Sequence, residues 1–110
     1  MTKAALNALA YTYLTGVMPK YLHSHTWRVV YNCIESRGLR YTLKPECVAM
    51  VADHPQVLKL RELETDGWKI ASDLGRRKVR VGIDLYRDLP DGKYQKTCVY
   101  PDGKQGRVWG

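Results

Sequence analysis

The chain is predicted to be α+β, with N-terminal helices that include a helix-turn-helix followed by a C-terminal antiparallel meander. Three observations predict it. Apolar residues recur at helical spacing as far as Leu63. Beyond Gly67 the period changes to two, in WKIAS, KVRVGIDLY, KYQKTCVY and a terminal RVW, all rich in β-branched or aromatic residues. The strand candidates are separated by turn-forming segments, notably LPDGK at 89–93 and YPDGK at 100–104, in which Pro presets a turn and Gly accepts positive φ. A length of 110 residues with 45% hydrophobic and 26% charged residues suits one globular domain. It reads as a helical extension over 1–23, a core over 24–87 and an extra β-hairpin tail over 88–110.

The first helix is expected over 3–15, where Leu6, Leu9, Tyr13 and Leu14 form a stripe between a Thr2 cap and a Gly16 stop. That stripe packs either on the domain's own core or on a second copy, so the chain is expected to be a monomer or a homodimer. Met18-Pro19 breaks the pattern, because the residue before proline is driven out of the α region. A second helix begins at Ser24 or Thr26, buries Trp27, Val30, Cys33 and Ile34, and ends at Gly38. Leu39, Tyr41 and Leu43 alternate as a small strand against the sheet would. Pro45 suits the first position of a short helix burying Cys47, Val48 and Val51, and His54-Pro55 opens another that presents Val57, Leu60 and Leu63 until Gly67. Two short helices across so tight a break make a helix-turn-helix.

Several of these residues also follow a family pattern. Leu60, Arg61, Leu63, Gly67, Trp68 and Ile70 are similar to a recognition helix that carries Leu-Arg and ends in Gly-aromatic-x-Ile; Glu46, Cys47, Val48 and Val51 match the short helix before it, and Tyr86 follows as a strand aromatic. Over roughly residues 24–87 the chain resembles a winged helix-turn-helix domain, in particular the small helix-turn-helix proteins common in phages and prophages. The resemblance implies a non-enzymatic DNA-binding accessory or regulatory protein, acting in transcription regulation or a similar role. Its partner would be double-stranded DNA.

On that implied fold, the helix from His54 would enter a major groove by its N-terminal end, bringing His54, Gln56 and Lys59 near base edges or phosphates. Gln56 would be the base reader, since an amide donates to and accepts from adenine together. The wing would be the loop ASDLGRRKVRV, whose Arg76, Arg77, Lys78 and Arg80 place four cations within five residues. With Lys44 and Lys59 as further backbone contacts, about five neutralised phosphates give a salt slope of about −4 to −5. The structural alternatives are a solvated helix face for the first set and a charged edge that discourages strand pairing for the second.

The formal charge of +7 fits an acidic partner without choosing one. It is concentrated late: residues 1–66 hold eight Lys/Arg against six Asp/Glu, and residues 67–110 hold ten against five. The same charge would suit a small phage-type inhibitor occupying an acidic or nucleic-acid-binding surface of a host protein complex. A third reading takes Tyr94, Tyr100 and Trp109, interleaved with Lys93, Lys96, Lys104 and Arg107, as a stacking surface for single strands; such aromatics more often fill the core of a small sheet.

Other classes find little in the sequence. Cys33, Cys47 and Cys98 are odd in number and form no C-x-x-C pair, which argues against a disulfide framework or zinc knuckle and for a reducing, cytoplasmic setting. His23 and His25 lack neighbouring ligands, so no metal and no cofactor are expected. The opening apolar stretch is interrupted by Asn7 and Thr12 and lacks a small-residue cleavage site, and no run reaches the roughly 20 apolar residues of a membrane span. No phosphate loop, nucleophile elbow or paired acid and base is visible, so no catalysis is expected.

Overall fold

The computed structural model describes residues 1–71 and 78–110 and is α+β. In chain order the elements are α1 (Lys3–Thr15), α2 (Ser24–Asn32), β1 (Ile34–Arg37), β2 (Tyr41–Leu43), α3 (Pro45–Val51), α4 (Pro55–Thr65), β3 (Lys69–Ile70), β4 (Ile83–Asp88) and β5 (Tyr94–Val99). Strands β1 and β2 form their own antiparallel hairpin, while the other three make an antiparallel sheet ordered β3-β4-β5.

Helix α1 begins and ends as its sequence dictates. The Thr2 hydroxyl accepts from the Ala5 N–H at 3.1 Å, and Gly16, at φ 70°, closes the helix by donating to the Thr12 carbonyl. Its small residues let neighbours approach from several sides, so Ala5, Ala8, Leu9, Ala10, Tyr11 and Thr12 are all fully buried. α1 therefore belongs to both apolar clusters. Leu9 packs with Val30, Leu43, Val51 and Val57, and Tyr11 packs with Leu60, Trp68, Ile83, Leu85 and Val99. The predicted N-terminal extension is in fact the hub of the fold.

The second helix is shorter than expected. It stops at Asn32 instead of Gly38, because Ile34–Arg37 pairs with Tyr41–Leu43 and the Lys44 N–H bonds the Cys33 carbonyl at 2.9 Å. The strand expected against the main sheet is thus half of a separate hairpin. That hairpin is tied to α1, since Arg40 donates to the Thr15 carbonyl at 2.6 Å and the Tyr41 N–H to that of Gly16 at 2.8 Å. Trp27 is not core but 45% exposed.

Pro45 and Pro55 start α3 and α4, and Val57, Leu60 and Leu63 are buried as their spacing predicts. After Gly67 the strands differ in extent. β3 has two residues, and Val79–Val81 forms a 3-10 turn where a strand was expected. The two PDGK turns fold alike. In each the Gly N–H returns to the residue before Pro (3.1 and 2.9 Å), and the Asp carboxylate accepts from the Lys N–H (3.0 and 2.9 Å). The second turn brings the chain end back along β5, where Lys96 and Trp109 exchange backbone bonds of 2.8 Å and the Gly106 N–H reaches the Cys98 carbonyl at 2.8 Å. Because β5 lies beside β4 and Val99 is fully buried, residues 88–110 are part of the core fold and not an added tail. No helix among the described residues is long and apolar enough to cross a membrane.

Candidate nucleic-acid interface

The N-terminal end of α4 is turned inward. Gln56 is 0% exposed, and its Nε2 donates to the Val99 carbonyl at 2.9 Å. His54 is buried as the helix cap: its Nδ1 accepts from the Gln56 N–H at 3.1 Å, which leaves Nε2 to donate to Asn7 Oδ1 at 2.9 Å. Burial lowers the His54 pKa, partly opposed by Asp53, and so favours this neutral form. Over the same end sits Gly103, at φ 86°, so close that a Cβ there would lie 3.0 Å from Pro55 Cβ and 3.1 Å from its carbonyl oxygen. Gln56, expected to read bases, and His54, expected near base edges or phosphates, are instead enclosed structural groups. A polar side chain in that sequence position looked solvated because its acceptor, Val99, lies 43 residues away.

The remaining candidates occupy separate elements. Lys59 is half-buried and paired with Glu62 at 3.2 Å, and the next charge on the helix, Arg61, is paired with Glu64 at 3.0 Å. Burial lowers the Arg61 pKa, but its bonds to Tyr13 and Glu64 outweigh that and raise it overall. The outer surface of α4 is thus a ladder of compensated charge. Lys44 is half-buried at the start of α3. Lys78 lies 5.0 Å from the Tyr21 ring centroid, and exposed Arg80 lines a hollow with Tyr21, Leu22 and Thr26, above the α1–α2 connection. Arg76 and Arg77 fall outside the described residues.

A more open combination of cations and rings lies on the sheet. Alternation along the paired strands sends Ile83, Leu85, Thr97 and Val99 inward, all at most 4% exposed. It sends Asp84, Tyr86, Lys96 and Cys98 outward, with Asp84 opposite Cys98 and Tyr86 opposite Lys96. Lys69 joins them by pairing with Tyr86, and the returning C-terminus adds Arg107 and Trp109. Tyr94, Tyr100 and Trp109 are 53%, 39% and 59% exposed, so these aromatics do not fill the core as expected. Three rings of this face have a cation near them: Lys69 at 6.0 Å from Tyr86, Lys96 at 5.4 Å from Tyr94 and Arg107 at 4.3 Å from Trp109.

The same face carries a cleft of about 450 Å³ lined by Asp84, Tyr86, Lys96, Tyr100, Arg107 and Trp109. That size lies within the roughly 300–1,000 Å³ of ligand clefts. Gly106 lies close behind Cys98: a Cβ there would come 2.6 Å from Cys98 Sγ, so a larger residue would displace that thiol. The Tyr100 pKa is raised, chiefly through its hydrogen bond with the Cys98 thiol. Flat aromatic faces beside Lys and Arg are suited to stacking bases and neutralising phosphates. Lys96 and Arg107 belong to the stacking surface read from the sequence, whereas Lys69, Asp84 and Tyr86 were not singled out as site residues. The period-two alternation along β4 and β5 was the signal that would have grouped most of them.

A second exposed cluster lies at the other end of the chain. Trp27 and Tyr31 stack with centroids 4.8 Å apart, and Arg37 covers the Tyr31 ring at 4.1 Å. Cys33, between α2 and β1, is pushed up to about 12 by burial first and then by its hydrogen bond with Cys47, which keeps it a thiol and a poor nucleophile. No family model, curated protein or solved structure matches the chain.

Proposed function

We propose that the protein is a non-enzymatic nucleic-acid-binding protein that takes a single strand across the outer face of its C-terminal sheet. The observation that carries this reading is the exposure of Tyr94, Tyr100 and Trp109 among Lys69, Lys96 and Arg107 on one face. Exposed rings on a small domain cost solvation that a stacking partner recovers, and the +7 charge attracts that partner over a distance. The order α3, α4, β3, β4 supports a winged-helix-like framework for the middle of the chain. With Gln56 and His54 enclosed, the framework would work through its sheet and loop side.

Titration of labelled oligothymidine and of random duplex DNA at two salt concentrations tests this. The single strand should bind more tightly, with a salt slope of about −2 for three cations at ~0.7 per charge. Tighter binding to duplex, with the steeper slope of about −4 to −5, would return the function to the cation run at 76–80. No binding of either at low salt would refute a nucleic-acid role.

A second reading is favoured by the Trp27–Tyr31–Arg37 cluster, whose residue types recur as anchors of protein interfaces. It is that of a small inhibitor docking on an acidic surface of a host complex.

A further inference from the structure

We propose that the hollow at the start of α2 is a binding site for the phosphate group of a nucleotide. It goes beyond the single-strand reading of the sheet, and either can hold without the other. The hollow measures about 250 Å³ and lies between the α1–α2 connection and the 79–81 turn. Asn7, Tyr21, His23, Thr26 and Arg80 line it, and it shares no lining residue with the cleft on the sheet.

Its donors are unspent. The cap residue of the nine-residue α2, His23, makes no side-chain bond to the helix, and the first bonded N–H is that of Trp27, to the His23 carbonyl at 2.8 Å. The N–H groups of Ser24, His25 and Thr26 carry no hydrogen bond among the described residues, and the aligned peptide dipoles make that end electropositive. Thr26 is an independent sign of a ligand. It is only 6% exposed and lines the hollow, yet its hydroxyl makes no hydrogen bond among the described residues. A hydroxyl so enclosed is ordinarily paired, and an oxygen entering the hollow would pair it. Exposed Arg80 adds a guanidinium whose fork matches phosphate oxygens. Asn7 is already taken by His54, and no acidic side chain lines the hollow among the described residues.

Size and Tyr21 narrow the ligand. Clefts that enclose a whole ligand run to roughly 300–1,000 Å³, so this smaller hollow admits the phosphate and leaves the rest of the molecule at its edge. Tyr21 stands at that edge, 81% exposed, and at φ 57° it is the one non-glycine residue at positive φ among the described residues. Such strain concentrates at ligand-binding positions. A base stacked on Tyr21 places its phosphate beside the α2 terminus and near Lys78, which lies 5.0 Å from the ring centroid.

Amide NMR titrations at constant ionic strength with thymidine 5′-monophosphate, inorganic phosphate and thymidine test the site. The monophosphate should shift Ser24, His25 and Thr26, and bind at least about fivefold more tightly than inorganic phosphate, the lower end for stacking on one aromatic ring. Thymidine should leave those amides unmoved. A 5′-phosphorylated thymidine tetranucleotide that binds more tightly than the mononucleotide identifies a strand end as the source of the phosphate; one that binds no better identifies a free nucleotide. Thr26→Val, which keeps the shape, and Arg80→Ala, at an exposed position, should each weaken the monophosphate by about tenfold or more, the loss of one bond to a charged group. Unmoved amides with both phosphate ligands, or the same shifts with thymidine, would overturn the site. Unchanged affinity in Arg80→Ala would overturn it as well, and stands even if Thr26→Val fails to fold. Inorganic phosphate binding as tightly as the monophosphate would overturn the nucleotide assignment and the role of Tyr21. The amides of β4 and β5 report the sheet face separately, so failure here leaves that reading intact.

Discussion

Truncating Gln56 separates a structural amide from a base-reading one. In Gln56→Ala the Val99 carbonyl loses the donor now 2.9 Å away, and an acceptor left unpaired at a fully buried site costs about 1–3 kcal/mol. The space vacated by the amide and its methylenes adds about 1 kcal/mol at ~24 cal/mol per Å³ of cavity. Together the loss should be about 2–4 kcal/mol, which for a domain of this size lowers Tm by roughly 10–20 °C. Gln56→Leu should cost less, about 1–2 kcal/mol, because it refills the space. It also removes Oε1, which is buried and accepts no hydrogen bond among the described residues. Thermal and urea melts followed by circular dichroism measure both. A melting temperature for Gln56→Ala equal to that of the wild type would refute the reasoning and return the side chain to solvent. So would equal losses in the two variants.

The other predictions concern the cover on α4, its cap and the stacking face. Gly103→Ala forces a side chain into positive φ and against Pro55, and should cost about 1–3 kcal/mol in a urea melt; wild-type stability would mean that the second PDGK turn does not rest on α4. The His54 pKa is lowered from its ordinary 6.5, so the unfolded state binds more protons below that value and stability must fall as pH drops through it. His54→Asn, which keeps a cap acceptor, should flatten this dependence between neutral and mildly acidic pH, and a Tm profile parallel to the wild type's would refute it. Trp109→Ala should weaken oligothymidine binding by about 1–3 kcal/mol, or roughly 5- to 150-fold, with little change in fold. An unaltered affinity would remove Trp109 from the interface.

Much of the helical half was legible because its signals are local. Thr2 and Gly16 bound α1, Pro45 and Pro55 start α3 and α4, and the PDGK sequences make the two turns they suggest. What was missed depended on long-range partners. Ile34 fits the apolar stripe of α2 and equally a strand, and only its pairing with Leu43 decides between them. Ala5, Ala8 and Ala10 carry little hydrophobic signal, yet they let α1 sit at the centre of the molecule. Gln56 is polar and near a helix start, which reads as exposed until β5 and the 100–104 turn close over it. The site was half visible: the Tyr/Lys interleaving was plain, but which rings face solvent depended on the returning C-terminus. The place of Asp84 in the cleft depended on its register opposite Cys98.

The most direct measurement is an amide NMR titration of the isotope-labelled protein with oligothymidine. Shifts should concentrate in β4, β5 and the segment from Arg107 to Trp109, and leave the first turn of α4 unmoved. Shifts confined to the exposed surface of α4 or to the Trp27–Tyr31 cluster, or none at all, would contradict the assignment of the sheet as the binding face.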